Sequence, residues 1–462
     1  MTTPTRDIDE AAPRIRDKRE LVERLAGGSK PKTAWRIGTE HEKFGFIEKT
    51  LRPVPYEGPS SIRKLLEGMS SEFGWAPIIE RDHIIGGKKG MASLSLEPGG
   101  QFELSGAPVE TIHETCAEIT QHLRETKAIA GPMGIEFLGL GFSPVWSLDE
   151  TPMMPKGRYG IMKAYMEKVG RLGRQMMFRS CTVQTNLDFG SEADMVKKLR
   201  VSLALQPIAT ALFANSPFAE GRTNGFLSYR SHVWTDTDPD RTGMLPFAFD
   251  EGFGFEQYVD YALDVPMYFA RRDGKYLDAS GHSFRDFMAG KLSLLPGEKP
   301  AMDDFDDHLS TIFPEVRLKT FLEMRGADAG PQDSLCALSA FWVGLLYDET
   351  ALDGAWELVK HWNAAERQAL RSAVPMQGLK APIRNTTAHV IAKEAVKLSI
   401  AGLKRRKNLN SSGKDETGFL AELEEIADSG ITPAERWLAM YHGPWQRDLR
   451  LAFKDALIHS PR

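Results

Sequence analysis

Cysteine is scarce in this chain, with three residues in 462. So few cysteines exclude the dense disulfide framework of small secreted proteins and fit a reducing compartment. The first 20 residues, MTTPTRDIDEAAPRIRDKRE, carry charges throughout and include no apolar stretch of the kind that directs export. We therefore expect a cytoplasmic protein.

Long apolar runs and an excess of one charge are also missing. The longest uncharged apolar stretch, Cys336–Tyr347, is 12 residues long, whereas a membrane-spanning helix needs about 20. Lys and Arg number 58 against 63 Asp and Glu, which gives a formal net charge of -5. This balance lacks the basic excess that nucleic acids or anionic membranes attract. We expect neither as a partner.

The composition is that of a folded protein with a large core, since 42% of the residues are hydrophobic. Residues 111–130 and 194–213 have the apolar spacing of amphipathic helices, and the last 80 residues or so are mostly helical in pattern. The one obvious soft linker is Arg405–Glu416. We predict one large domain over residues 1–380 and a helical C-terminal subdomain over residues 381–462.

Four segments between the helices alternate polar and apolar residues with the period of two that half-buried strands show. Glu40 and Glu42 share one face, because residues two apart on a strand point the same way. The turn signal Pro98-Gly99-Gly100 predicts a hairpin that places Glu97 and Glu103 side by side. The other two segments present Gln184 with Asn186 and Glu323 with Arg325.

If these strands form one antiparallel sheet, five glutamates line a common face. Such a cluster repels itself unless cations compensate, and Mg²⁺ or Mn²⁺ suits carboxylate oxygens while leaving positions for substrate phosphates. The chain has neither a P-loop nor a strand-linked G-x-G-x-x-G. We therefore predict an ATP–Mg²⁺ site whose phosphates are held by metal and by Lys or Arg. The alternative, for any one glutamate taken alone, is a solvated strand face.

Eight segments resemble the plant and proteobacterial type of glutamate–cysteine ligase, and together they span about residues 30–445. They are GTEHEKFGF, SLEPGGQFELSGAP, MPKGRYGIMKAYM, CTVQTNLDF, ALFANSPF, GFLSYRSHVWTDTDPDRTG, FPEVRLKTFLEMRGAD and LCALSAFWVGLLYD. The resemblance implies an α+β, glutamine-synthetase-like fold, in which a strongly bent antiparallel sheet forms an active-site funnel with helices packed outside. It also implies ATP-dependent ligation of the glutamate γ-carboxylate to the cysteine α-amine through γ-glutamyl phosphate, the first step of glutathione biosynthesis.

The resemblance further implies a catalytic centre in the 1–380 domain. Arg325 and Glu323 take the catalytic positions, with Arg325 contacting the substrate carboxylate or the transferred phosphate. The implied metal ligands are Glu40, Glu42, Glu97, Glu103 and Glu323. From the crowding of carboxylates we expect Glu40→Gln and Glu323→Gln to lose most activity while stability is kept or rises.

Substrate contacts are implied for five further side chains. Arg230 resembles an arginine that binds the glutamate α-carboxylate, and Gln184 and Asn186 occupy a strand near the metal and glutamate. Lys156 and Arg158 are candidates for the nucleotide phosphates, with a surface charge pair at a helix start as the alternative.

Other functions and assemblies stay open from the sequence. The same fold can serve a γ-glutamyl ligase with another amine acceptor. The same cluster can serve a guanidino phosphotransferase, and a non-enzymatic interaction protein is a third alternative. The substrates expected are glutamate, cysteine and ATP, and the chain is expected to be a monomer or a homodimer.

The cysteines bear on redox control. The resemblance implies that Ala279 and Leu294 stand where plant members carry a disulfide, so this chain cannot form that bond. Cys116 and Cys336 match a second plant cysteine pair that is implied to govern oligomerisation and activity, so a disulfide between them is the alternative. Because both lie in apolar patterns, we expect them to be free, buried thiols in a reducing cytoplasm.

Overall fold

The computed structural model describes residues 13–459. The outer ends of both predicted domains, and part of the charged N-terminal segment discussed above, lie outside the described residues. Within residues 13–459 the chain forms seventeen α-helices, whose bounds are as follows: α1 Lys18–Ala26, α2 Ile62–Phe73, α3 Ile112–Ala130, α4 Gly157–Val169, α5 Gly173–Arg179, α6 Glu192–Leu212, α7 Tyr229–Val233, α8 Phe255–Asp264, α9 Phe284–Met288, α10 Met302–Ser310, α11 Gln332–Leu346, α12 Glu349–Val359, α13 Ala364–Gln377, α14 Ala388–Arg406, α15 Ala421–Ser429, α16 Pro433–His442 and α17 Ala452–Asp455.

A large antiparallel sheet organises the molecule. In the described part of the chain it has ten strands, with the spatial order β15-β16-β8-β1-β6-β5-β4-β3 and with β2 and β7 added to β1. The remaining strands form four two-stranded pairs. The strands are β1 Ile37–Ile47, β2 Arg52–Pro53, β3 Ala76–Glu80, β4 His83–Lys89, β5 Ala92–Leu96, β6 Phe102–Ser105, β7 Ile135–Leu138, β8 Thr182–Leu187, β9 Phe218–Ala219, β10 Arg222–Thr223, β11 Thr242–Gly243, β12 Phe269–Arg272, β13 Lys275–Asp278, β14 Phe313–Pro314, β15 Val316–Leu318, β16 Leu322–Asp328, β17 Pro382–Ile383 and β18 Thr386–Thr387.

The central strand β1 joins four other strands. Its first half pairs with β6 on one side and β8 on the other, and its second half pairs with β7 and β2. The predicted alternation is confirmed along it, because Thr39 on the back of the sheet donates or accepts a hydrogen bond with Ser339 of α11, while Glu40 and Glu42 point to the other face. The same serine bonds Thr185 of β8. Helix α11 therefore seals the back of the sheet and leaves the front for polar side chains.

The two predicted helices lie close to their expected bounds. Helix α3 begins with a complete capping box, in which Thr111 and Glu114 each bond the other's backbone N–H group. Helix α6 starts two residues earlier than predicted and continues through Pro207. Almost every residue of its second half is buried, because it crosses the core between β16 and the C-terminal helices.

Helices of the C-terminal segment share the main hydrophobic core. Ile391 and Val396 of α14 and Leu423 of α15 belong to the same cluster of buried side chains as Leu335 and Phe341 of α11. The boundary at residue 380 therefore stays a prediction. In the described residues no single helix has the length and apolarity of a membrane span. Helices α11 and α12 have them only when taken together, and the pair is bent by 91° at its junction. The expected α+β class with an antiparallel sheet and a helical C-terminal part is confirmed.

Candidate active site

Cross-strand register brings most of the predicted site residues onto one face of the sheet. Glu42 of β1 lies directly opposite Glu103 of β6, and Glu40 lies opposite Gln184 of β8. Glu323 of β16 lies opposite Asn186 on the other side of β8. Residues separated by 283 positions therefore share one surface, because β8 links the first strand to the last. Gly38 of β1 leaves room for the Asn186 side chain, since a methyl group at position 38 would lie 3.2 Å from Asn186 Cβ.

One half of this face is crowded with carboxylates. Glu40 and Glu103 are 3% and 2% exposed, and Glu42 and Glu97 are partly buried. Asn186 Nδ2 donates to Glu40 Oε1 at 2.8 Å, and the Thr182 backbone N–H donates to Glu42 Oε2 at 2.9 Å. These neutral donors stabilise the carboxylates without cancelling their charge.

The crowding changes the proton affinity of two members. Burial and the neighbouring Glu97 raise the pKa of Glu42 to about 8. Burial, together with Glu97, Glu40 and Glu42, raises the pKa of Glu103 well above its usual range. Glu103 Oε2 is buried and has no hydrogen-bond partner among the described residues, while Oε1 accepts only a 3.4 Å bond from Ser105 Oγ.

The other half of the face is cationic and encloses Glu323. Arg317 Nη2 and Arg325 Nη1 each donate to Glu323 Oε1 at 2.8 Å, and Lys319 Nζ lies 3.8 Å from Oε2. Burial favours a high pKa for Glu323, but Arg317, Lys319 and Arg325 outweigh it and lower the pKa well below its usual range. Glu323 is fully buried. Its carboxylate is therefore the shared counter-ion of these three cations.

Arg325 connects both halves of the face. Its Nη1 also donates to Gln184 Oε1 at 2.6 Å, and its backbone carbonyl accepts a 3.0 Å bond from Arg230 Nη2. The ladder between β16 and β8 shifts register between Met324 and Ala327, so Arg325 lies at an irregular point where a strand can redirect a side chain. Arg230 and Arg325 line a cleft together with, among others, Trp234, Glu315 and Arg371.

Lys156 and Arg158 lie at the start of α4, beside the carboxylates. Lys156 Nζ donates to Ser95 Oγ at 2.9 Å and to the Leu96 carbonyl at 3.2 Å. It is buried, so the alternative of a surface charge pair is wrong for this residue. Burial, and then Arg158, lower the pKa of Lys156 to about 8. Arg158 is half-buried, with its guanidinium 5.6 Å from the centre of the Tyr159 ring.

Sequence reasoning found Arg325 but missed Arg317 and Lys319, the other two cations around Glu323. Arg317 lies directly opposite Glu323 in the β15–β16 ladder. The signal was present as the alternation VRLK, which places Arg317 and Lys319 on one face of a strand just before the turn. Arg371 gave no such signal, because it comes from α13, far along the chain.

The prediction of free thiols at Cys116 and Cys336 is wrong. Both side chains are buried, as expected, but they form a disulfide between α3 and α11 with Cα atoms 5.6 Å apart. The separation of 220 residues gave no geometric means of placing them together, and the match to a plant cysteine pair was the signal in the sequence that pointed to this bond. Cys181 is the free, buried cysteine of the described chain.

The chemistry of the carboxylate half fits a hard divalent cation. Glu103 lies close enough to Glu97, Glu40 and Glu42 for their charges to raise its pKa, and its Oε2 is buried without a partner among the described residues, which is an arrangement that a cation would relieve. Within residues 13–459 no three Asp, Glu, His or Cys side chains converge as a ready-made metal cage. Mg²⁺ does not require one, because it usually keeps several water or phosphate ligands. Glu323 fits less well, since its oxygens already accept from two arginines.

Comparison with known proteins places the chain in a family. The sequence pattern described as glutamate-cysteine ligase family 2 (GCS2) matches residues 36–455. The chain belongs to glutamate–cysteine ligase family 2. It is 59% identical over 454 residues to the chloroplastic glutamate–cysteine ligase of Nicotiana tabacum, covering 98% of this chain and 85% of that one. It is 58% identical over 440 residues to the chloroplastic enzyme of Medicago truncatula, covering 95% and 85%.

A solved structure shares the fold. The glutamate–cysteine ligase of Francisella tularensis in complex with AMP superimposes with a TM-score of 0.57 over 91% of this chain and 87% of that chain, at 14% sequence identity. The resemblance drawn from the sequence is thereby confirmed for family and fold. The expectation of a cytoplasmic protein is wrong, because these plant members of family 2 are chloroplastic enzymes.

Proposed function

We propose that this family 2 chain is a glutamate–cysteine ligase, which joins the glutamate γ-carboxylate to the cysteine α-amine with ATP as co-substrate. The observation that supports it is the division of one sheet face into a carboxylate half and a guanidinium half. The first half offers ligands to a cation, and the second binds anions. Joining a carboxylate to a phosphoryl group needs both, since the reacting groups repel one another.

The first chemical step transfers the ATP γ-phosphoryl group to glutamate. The γ-carboxylate oxygen attacks the γ-phosphorus, ADP leaves, and γ-glutamyl phosphate forms. Arg325 is held by Glu323 and Gln184 on either side, so its guanidinium is oriented before substrate arrives. A preoriented arginine lowers the barrier because charge develops on the transferred oxygens. Arg230, next to the Arg325 backbone, binds the glutamate α-carboxylate in this proposal.

The second step forms the amide. The cysteine amine attacks the acyl carbon of γ-glutamyl phosphate and phosphate leaves, while one proton passes from the amine to the released phosphate or to a carboxylate of the cluster. Glu40, Glu42, Glu97 and Glu103 would hold Mg²⁺, which when bound draws charge from the phosphate oxygens. Lys156 and Arg158 contact the nucleotide phosphates in this proposal, and Asn186 fixes Glu40.

Product analysis tests the proposal directly. The protein is incubated with glutamate, ATP, Mg²⁺ and a panel of amines, and the products are identified by mass spectrometry. We expect γ-glutamylcysteine with cysteine and much less product with other amines. A preferred amine other than cysteine would change the acceptor, and a phosphorylated product without an amide would refute ligation. A second test is Arg325→Lys, which should lose turnover. Its matched control is Arg405→Lys, which changes an exposed arginine that pairs with Asp348 and should keep full turnover.

A further inference from the structure

Asp328 ends the strand that carries Glu323 and Arg325, and its carboxylate is 1% exposed. It accepts three hydrogen bonds. Ser228 Oγ donates to Oδ1 at 2.8 Å, and Ser216 Oγ and the Asn215 backbone N–H donate to Oδ2 at 2.7 and 2.8 Å. Packing holds it closely, since a methyl group on Gly141 would lie 2.4 Å from Asp328 Cγ.

The two serine hydroxyls connect the Asp328 carboxylate to α7 by hydrogen bonds. Ser216 Oγ accepts from the backbone N–H of Arg230 at 3.2 Å, and Ser228 Oγ, at the N-cap of α7, accepts from that of Ser231 at 3.2 Å. Each hydroxyl has one hydrogen. Because an ionised carboxylate only accepts, both hydrogens point to Asp328, and the oxygen lone pairs remain for the two backbone groups.

The contacts close a ring through the candidate active site. Asp328 fixes the first turn of α7, which carries Arg230, and Arg230 Nη2 returns to the Arg325 carbonyl on the same strand as Asp328. The Arg230 side chain is itself 3% exposed. The backbone N–H of Arg230 is therefore held, through Ser216, by a residue that does not line the cleft.

We propose that Asp328 is a positioning residue, which orients Arg230 for glutamate through Ser216 and Ser228. This inference rests on the proposed function, because it assumes that Arg230 binds glutamate. If the Asp328 carboxylate has only a structural role, its removal lowers thermal stability and leaves the KM for glutamate unchanged. If it positions Arg230, its removal raises the KM for glutamate more than the KM for ATP.

Steady-state kinetics of Asp328→Ala and Asp328→Asn test the proposal. We expect Asp328→Ala to raise the KM for glutamate about tenfold, the effect of losing one charge-assisted network, while the KM for ATP changes less than about twofold. Asp328→Asn keeps one acceptor oxygen and should fall between Asp328→Ala and the parent. The matched control is Asp304→Ala, which removes a buried carboxylate that accepts from Ala301 N–H and Arg272. It should lower Tm and leave both KM values unchanged.

Two milder variants cover the case in which Asp328→Ala does not fold. Ser216→Ala and Ser228→Ala each remove one hydroxyl and should raise the KM for glutamate a few fold, with less than additive effects when combined with Asp328→Asn. An unchanged KM in Asp328→Asn and in both serine variants overturns the positioning role. Arg230→Lys distinguishes a failure of the positioning role of Asp328 from a failure of the glutamate-binding role of Arg230. If it raises the KM while the others do not, only the positioning role fails; if it does not, the assignment of Arg230 fails with it.

Discussion

Replacing Glu323 with glutamine should destabilise the protein, because the side chain is a buried anion that faces three cations. The change keeps the shape and removes the charge. Arg317, Lys319 and Arg325 then lack their shared counter-ion in a site from which water is excluded. Removing one partner of a buried ion pair costs about 3–5 kcal/mol. The expectation drawn from crowding alone, that stability is kept or rises, is reversed here by the contacts.

The magnitude can be converted to a melting temperature. Unfolding entropy is about 2.1 cal/mol/K per residue, so for 462 residues each kcal/mol shifts Tm by about 1 °C. We expect Glu323→Gln to melt about 3–5 °C below the parent, measured by circular dichroism at pH 7.5 without divalent cations. Adding Arg317→Met removes one uncompensated cation and should restore part of the loss.

Glu103→Gln is the matched control, since it makes the same substitution on the same face. Its neighbours are other carboxylates and its Oε2 has no partner among the described residues, so we expect Tm to stay or to rise. If Glu323→Gln melted at or above the parent, or if both variants shifted Tm equally downward, the division of the face into two electrostatic halves would be refuted.

Three further predictions concern pH, turnover and redox state. Because the pKa of Glu42 is raised to about 8 by burial and by Glu97, its folded state binds a proton more tightly than the unfolded chain. Stability without Mg²⁺ should fall as pH rises from about 4.5 to 8, and Glu42→Gln should flatten that slope in thermal melts; an unchanged slope would contradict this. Arg325→Lys should lower kcat and leave the KM for ATP unchanged, since an ammonium group cannot make two aligned hydrogen bonds to the oxygens of one phosphoryl group. If turnover were preserved, Arg325 would have no role in phosphoryl transfer. Reducing Cys116–Cys336 should lower the unfolding free energy by about 2–4 kcal/mol, and Cys116→Ser should show the same loss and no response to reductant.

Alternation along single strands was the part of the site that sequence could predict. The period of two placed Glu40 with Glu42, and Gln184 with Asn186, on one face, and the registers of β1, β6 and β8 confirm that they meet. Helix α3 was equally predictable from the sequence, because capping and apolar spacing involve residues close together along the chain. These features depend on residues a few positions apart.

Contacts between distant segments were not predictable in the same way. Glu323 looked like one more carboxylate of a repelling cluster, whereas in the fold Arg317, Lys319 and Arg325 surround it. The pairing of Cys116 with Cys336 depends on how α3 packs against α11. Asp328 carries no pattern of its own, since its partners come from the segment around Asn215 and Ser228. Such contacts are set by tertiary packing, which no local period records.

The order of strands in the sheet has a consequence for synthesis of the chain. Strand β1 emerges from the ribosome early, but its neighbour β8 comes some 140 residues later and β16 a further 135 or so after that. Until β8 is synthesised, the edge of β1 that pairs with it is open, and an unpaired edge is prone to wrong pairing and aggregation. Closing such long-range contacts is slow. A chain that ends before residue 323 lacks both Arg325 and its counter-ion Glu323, so the cationic half of the face is complete only when β16 has been synthesised.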